Sequence, residues 1–329
     1  TIVEGKPSAG RKFLMAGKSG LNLTKDEDLE TFVRAYGEAA EWLYPMIAQL
    51  DPVEVMAFAE DLGQPIFTGT TGRVFPKAMK ASPLLRAWLR RLEAQMLLRW
   101  RWTGFDGNTL TFDTPDGPQQ LSPKVTVLAL GGASWSRLGS DGAWAPRLAE
   151  KGVEMAPFKP SNMGFRVDWS DHMTPHFGTP LKSVAFSAGP YTSRGEAVIT
   201  EKGLEGSGIY SVSRGVREGH DLFVDLKPDW TVERVQGALE RARGKTSLSN
   251  HLRRVLKLGK HELTLINEWK RPLPDDTHAL AKHIKALQIP DAKLRPMDEA
   301  ISTSGGIAQR ALTENLMLLE KPGVFCAGE

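Results

Sequence analysis

The run VTVLAL at residues 125–130, closed by Gly131 and Gly132, constrains this chain more than any other stretch. A segment of strand length that is apolar but for Thr126 offers little face for water, so it suits a strand buried in a parallel sheet. Parallel strands need crossover connections, usually helical, and a glycine pair at the carboxyl end suits a backbone that meets a ligand there. The expectation is an α/β fold with a binding loop after this strand.

Two other loops follow the same logic. IVE at residues 2–4 resembles the second strand of a dinucleotide-binding unit, in which a terminal acidic residue accepts hydrogen bonds from ribose hydroxyls. Glu4 would do so here, although a glutamate ending a strand is more commonly just a solvated charge. Gly10, Gly17 and Gly20 then permit backbone conformations and close approaches that a side chain forbids, and Gly305 with Gly306 repeats the pattern near the other end. Any one of these could be an ordinary turn; three such loops in this order point to a cofactor.

At 329 residues the chain is long for a single core. Thr24 and Glu27 have the spacing of a capping box, and Leu29 to Ile47 carries apolar residues at helical period, which predicts one long helix. Asp51, Pro52 and Gly63 bracket a second. A third is expected along Leu84, Leu85, Trp88, Leu89, Leu92 and Met96, a stripe read as core packing. From Trp100 the period becomes alternating, with turns at Asp106-Gly107 and Asp116-Gly117. MGFRVDW, LKSVAFSAG, EAVITEKG, SGIYSVS and DLFVDL then read as an antiparallel β module, and TVERVQGALERAR, SLSNHLRRVLKL and DDTHALAKHIKALQ as helices. The organisation expected is a Rossmann-like domain over 1–156, an inserted β-plus-helical domain over 157–292, and a return to the first domain over 293–329.

Several function classes lose support. The net charge of +3 lies in no basic block, and RWRW, though a possible cation–aromatic patch, reads better as a strand with alternating faces, so no nucleic-acid partner is expected. The single cysteine, Cys326, excludes an internal disulfide and fits a reducing compartment. No apolar run reaches the ~18 residues of a membrane span and no signal-peptide pattern opens the chain, so the location expected is cytoplasmic. HELTL at His261 lacks the second histidine of a zinc helix, since Leu265 stands there, and no metal site is expected. Without G-x-S-x-G or a phosphate-binding P-loop, Ser134 and Ser140 read as loop residues. His172 and His176 could serve as acid or base by chemistry alone, but position gives no reason to prefer them over exposed loop histidines, and no catalytic residue is assigned.

The ordered set GRKFLMAGKSGLNLT, GRVFPKAMKAS, VLALGGASWSRLGSDG, STSGGIAQ and GVFCAGE strongly resembles the HI0933-like family, also called the aminoacetone oxidase or BaiN-like family of FAD-binding flavoproteins, over the whole chain. The resemblance implies an FAD/NAD(P)-binding Rossmann-like domain carrying a large insertion. It places Glu4 on the adenosine ribose and Gly10, Arg11 and Lys12 along the diphosphate. Gly17, Lys18, Ser19, Gly20, Leu21 and Asn22 would run along the ribityl chain and flavin. Gly131 and Gly132 match the second cofactor loop, with Leu130 where the family usually has threonine, which puts in doubt a hydroxyl contact there. Gly305, Gly306, Gly328 and Glu329 match segments returning to the flavin. Family members also have an earlier strand with a G-x-G-x-x-G turn and a later glycine-rich loop and helix, so the expectation is either an excerpt of a longer protein, the preferred reading, or a chain that lacks two principal cofactor contacts and binds FAD weakly or not at all.

The function implied is an FAD-dependent oxidoreductase of a small molecule, such as an amine or an enone, with NAD(P)H as a candidate reductant. The alternative is a flavin-binding or interaction protein without turnover of its own. The sequence does not address the oligomeric state.

Overall fold

A computed structural model describes residues 1–17 and 20–328. Lys18, Ser19 and Glu329, all implied cofactor residues, lie outside the described residues. The chain forms two compact units, residues 1–123 with 137–139, and residues 124–136 with those from 140 onward.

In the first unit the strand Ile2–Glu4 pairs in parallel with Met96–Leu98, Glu4 opposite Leu98. The Trp100 amide donates to the Glu4 carbonyl at 3.1 Å and the Arg99 amide to that of Lys6 at 3.1 Å, which carries the chain past the strand end in a defined path. Met96 therefore belongs to a strand rather than to the expected helical stripe. The helix Ala81–Arg91 stops because Leu92 is extended, at φ −74°, ψ 114°. Leu84 and Leu85 are buried as the stripe requires, and Leu84 packs with Leu21, Ala59, Leu62 and Ala81. Trp88 stays 40% exposed and meets Phe13 and Phe58 edge-on.

The capping box at Thr24 does not form. Thr24–Lys25 is a short strand opposite Arg73–Val74, and the cap is Asp28, whose carboxylate accepts the Thr31 amide at 2.8 Å. The one long helix expected is two, Leu29–Arg34 and Ala40–Ile47, separated by a 3-10 turn over Gly37–Ala39. Gly37, at φ +57°, takes the left-handed turn that ends the first. Asp51 does cap Pro52–Asp61, accepting the Glu54 amide at 2.9 Å. The RWRW segment enters a three-stranded meander, Arg101–Asp106, Thr109–Thr114 and Gly117–Leu121, with Arg101 exposed and Trp102 buried as alternation demands.

In the second unit Thr126–Leu128 pairs in parallel with Val324–Cys326. The parallel pairing is as expected; full burial is not. Val125 and Val127 are 59% and 60% exposed, because period-two alternation turns them to the face away from buried Leu128.

A seven-stranded antiparallel sheet dominates this unit, in the order Leu287–Ile289, Leu222–Asp225, Pro180–Ala188, Tyr191–Thr200, Gly203–Glu205, Phe165–Arg166 and Lys293–Leu294. The helices Val232–Leu239, Leu248–Leu256, Lys260–Glu268 and Thr277–Lys285 contribute to its core, where Phe165, Phe186, Leu204, Leu252 and Ile284 are at most 1% exposed. Each such side chain stabilises the fold by about 1.5–3 kcal/mol relative to exposure.

SGIYSVS, expected as a strand, forms the helix Ser207–Tyr210 and the start of Ser213–Arg217. Glycines explain the change. Gly206 takes φ +118°, and Gly208 sits where a Cβ would lie 3.0 Å from the Phe186 ring, so the helix can lie directly on the sheet.

Finally, Met155–Ser161 pairs antiparallel with Ser302–Ile307, with a bulge between Ala156 and Lys159 that brings Gly306 opposite Ala156.

Candidate functional site

The expected site residues of the first unit follow the strand end. One oxygen of Glu4 accepts the Lys6 amide at 2.8 Å, so the carboxylate is pinned at the carboxyl end of a parallel strand with acceptor capacity left over. Gly10 has φ +70° and opens the short helix Arg11–Ala16; a Cβ there would lie 2.7 Å from Leu85 Cδ2. The Arg11 Nη1 reaches Ser8 Oγ at 3.5 Å, a weak contact, while its Nε is buried with no hydrogen-bond partner among the described residues. A buried unsatisfied donor costs about 1–3 kcal/mol unless something binds it.

Gly17 is buried where a Cβ would lie 2.4 Å from that of Ala81, so this glycine serves close helix packing. Gly20, at φ +125°, is accessible; Leu21 buries its side chain in the core at 4% exposure; Asn22 is exposed. Any ligand contact by Leu21 is thus confined to its backbone.

In the second unit the structure brings the remaining glycines together. Gly131, at φ +73°, accepts the Trp144 indole N–H at its carbonyl, 2.9 Å away. Trp144 packs edge-on against Phe158 at 5.6 Å, and both rings lie over Gly306, whose Cβ would be 3.5–3.6 Å from them. A Cβ on Gly132 would strike Thr303 Oγ1 at 2.5 Å, and that hydroxyl accepts the Ala133 amide at 3.0 Å. Gly305 is exposed at φ +98°, its would-be Cβ 2.2 Å from the Pro157 carbonyl oxygen. Gly328, also exposed, takes φ +99° next to Ala129, and the Ala327 amide donates to the Leu128 carbonyl at 2.9 Å.

Sequence reasoning missed Thr303, Trp144 and Phe158, which hold these loops. Thr303 stands beside Gly305 in STSGGIAQ, but its partner Ala133 is remote in the chain, so only tertiary structure reveals the clamp.

Arg295 was also missed. Its guanidinium pairs with Glu205, donates to Thr200 Oγ1 at 3.0 Å, and keeps a buried Nε without a partner among the described residues. Burial, with the Glu205 charge adding to it, raises the pKa of nearby Tyr210. Glu299 lies 3.8 Å from the same guanidinium, so Arg295 is held between two carboxylates.

Ser134 and Ser140 are buried at 0% and 6%, consistent with structural roles. His172 is exposed in the 3-10 segment Asp171–His176, whereas His176 reaches Thr264 Oγ1 at 3.0 Å. Among the described residues no three His, Cys, Asp or Glu side chains form a metal cluster, and no helix is long and apolar enough to cross a membrane.

The family model of the HI0933-like protein Rossmann domain matches residues 1–329. The 3-dehydro-bile acid delta(4,6)-reductase of Clostridium scindens is 26% identical over 251 residues, which cover 72% of this chain and 60% of that protein. The chain therefore spans less than two thirds of that relative's length. Among solved structures, the open conformation of a flavocytochrome c3 fumarate reductase aligns with a TM-score of 0.42 at 15% identity, over 100% of this chain and 72% of that one.

Proposed function

Because this chain belongs to the HI0933-like Rossmann family, we propose that it holds FAD and acts as an FAD-dependent oxidoreductase on a small organic molecule. Arg11 carries the reading: a cation follows a left-handed glycine in the loop after a parallel strand, with a buried donor that no group among the described residues satisfies. A diphosphate is the partner such a donor fits.

In the first unit Glu4 would accept from the ribose, Gly10, Arg11 and Lys12 would line the diphosphate, and Gly20 to Asn22 would offer backbone to the ribityl chain. In the second, Gly131, Gly305 and Gly328 would present backbone to the flavin, with Gly132 and Gly306 packed beneath them. Bound FAD supplies two-electron transfer, and the protein supplies orientation, electrostatics and exclusion of water. Residues 157–292 form, on this reading, an insertion into a Rossmann-like domain of 1–156 and 293–329, and shape the substrate pocket.

The relative's name favours reduction of a carbon–carbon double bond over amine oxidation; NAD(P)H as the reductant and the cytoplasm as the location belong to the proposal alone. The test is the visible spectrum of the purified protein, followed anaerobically with NADH, NADPH and panels of enones and amines. Flavin bands that a nicotinamide bleaches and an enone restores are the expected result. An absence of flavin bands refutes the proposal, and bands that no reductant bleaches assign the chain a flavin-binding role without turnover.

A further inference from the structure

We propose that the second unit carries an anion-binding cleft for an organic molecule with a carboxylate or phosphate group, formed by Lys260, Arg271, His176 and Asn267 over an apolar patch of Leu263 and Leu273. The cleft has a volume of about 680 Å³, within the ~300–1,000 Å³ typical of small-molecule sites. Its lining includes no carboxylate among the described residues.

The carboxylates on the adjoining helix Lys260–Glu268 are committed elsewhere. Glu262 accepts the Gly259 amide at 2.5 Å, and Glu268 accepts the Ser170 amide at 2.6 Å and its hydroxyl at 2.9 Å. Arg271 donates through Nε to the Asn267 carbonyl at 3.1 Å, which orients the guanidinium and leaves its terminal nitrogens for another acceptor. Neither Lys260 nor Arg271 has an ion-pair partner among the described residues.

The charge arrangement is unfavourable for the empty protein. Lys260 occupies the first turn of its helix, where the dipole disfavours a cation. His176 faces like-charged company: its ring lies 6.5 Å from that of His261, and burial followed by the charges of His261 and Lys260 depresses its pKa. An anion relieves these conflicts, receiving charge-assisted hydrogen bonds from Lys260 and Arg271 while its apolar part covers Leu263 and Leu273; His176, whose Nε2 meets Thr264 Oγ1 at 3.0 Å, borders the site. Local rules broken together around one concavity are what a binding site produces.

The full chain is titrated calorimetrically with octanoate and with phenyl phosphate, in wild type, Lys260→Glu and Arg271→Gln. Saturable binding that weakens about tenfold or more in each variant is expected, the loss of one charge-assisted contact. The Lys260→Glu chain should melt no lower than wild type, since an acidic residue suits a first helical turn. That result separates lost binding from lost folding. Preference for phenyl phosphate assigns the cleft to phosphate esters, and preference for octanoate to carboxylate amphiphiles. No saturation by either probe at millimolar concentration, or unchanged affinity in both variants, overturns the proposal. Flavin bands play no part in this readout, so it stands or falls independently of the FAD assignment.

Discussion

Replacing Gly305 and Gly306 by alanine, one at a time, separates two reasons for a glycine in a binding loop. Both have left-handed backbone, φ +98° and +108°, where a residue with a Cβ pays about 1–3 kcal/mol of strain. Their surroundings differ. The Gly305 Cβ would lie 2.2 Å from the Pro157 carbonyl oxygen and 3.0 Å from that of Ala156, both backbone atoms of the partner strand. The Gly306 Cβ would meet only Phe158 and Trp144 ring atoms at 3.5 and 3.6 Å, ordinary contact distances. Gly305→Ala therefore adds an overpacking cost of about 1–3 kcal/mol that Gly306→Ala escapes. At about 2–4 °C per kcal/mol for a unit of this size, Gly305→Ala should melt at least about 2 °C below Gly306→Ala. Thermal unfolding by far-UV circular dichroism measures the gap, and quenching of flavin fluorescence measures FAD affinity in the same samples. Because Gly305 is exposed while Gly306 lies buried under the two rings, moving the Gly305 backbone should also weaken FAD binding more. Equal melting temperatures would refute the packing argument. Stronger loss of FAD in Gly306→Ala would refute the assignment of Gly305 as the exposed, ligand-facing backbone.

Arg11→Leu removes a buried donor without a partner, so the melting temperature should hold or rise while FAD affinity falls about tenfold or more; unchanged affinity argues against a diphosphate at Arg11. Burial pushes the Cys326 thiol up to about 11, so at pH 8 only ~0.1% is thiolate and alkylation by iodoacetamide should be far slower in native than in urea-unfolded protein; equal rates refute that burial. For His283, burial lowers the pKa and outweighs the opposing hydrogen bond to the Ile266 carbonyl, 3.2 Å away. Its unfolded form, with a pKa of about 6.5, takes up the proton first as pH falls. Stability is then complete above about pH 6.5 and declines as pH drops through the window below it. His283→Gln should flatten the fall in urea midpoint between pH 7.5 and 5, leaving the contribution of His176, whose pKa shifts in the same direction.

Local chemistry explains which parts of the fold were legible in the sequence. Asp51 with Pro52 announced a helix because cap and first turn are adjacent in the chain, and Asp106-Gly107 announced a hairpin for the same reason. Thr24 deceived because its competitor for the residue, the strand Arg73–Pro76, is remote in the chain. SGIYSVS deceived because it alternates like a strand, while the glycines that let it coil onto the sheet act through Phe186 and Glu196, which the local sequence does not show.

The glycine motifs pose the same problem more sharply, since one residue type serves two purposes. Gly17, Gly132 and Gly306 are buried; Gly17 faces Ala81 and Gly132 faces Thr303, contacts within the protein that forbid a Cβ whether or not a ligand exists. Gly10, Gly20, Gly131, Gly305 and Gly328 are accessible and left-handed, so their backbones remain available to a bound molecule. Motif matching alone weights all eight equally. Exposure divides them: the accessible five, together with the unsatisfied Arg11 Nε, carry the case for a cofactor, whereas packing alone requires glycine at Gly17 and Gly132, and a left-handed backbone requires it at Gly306.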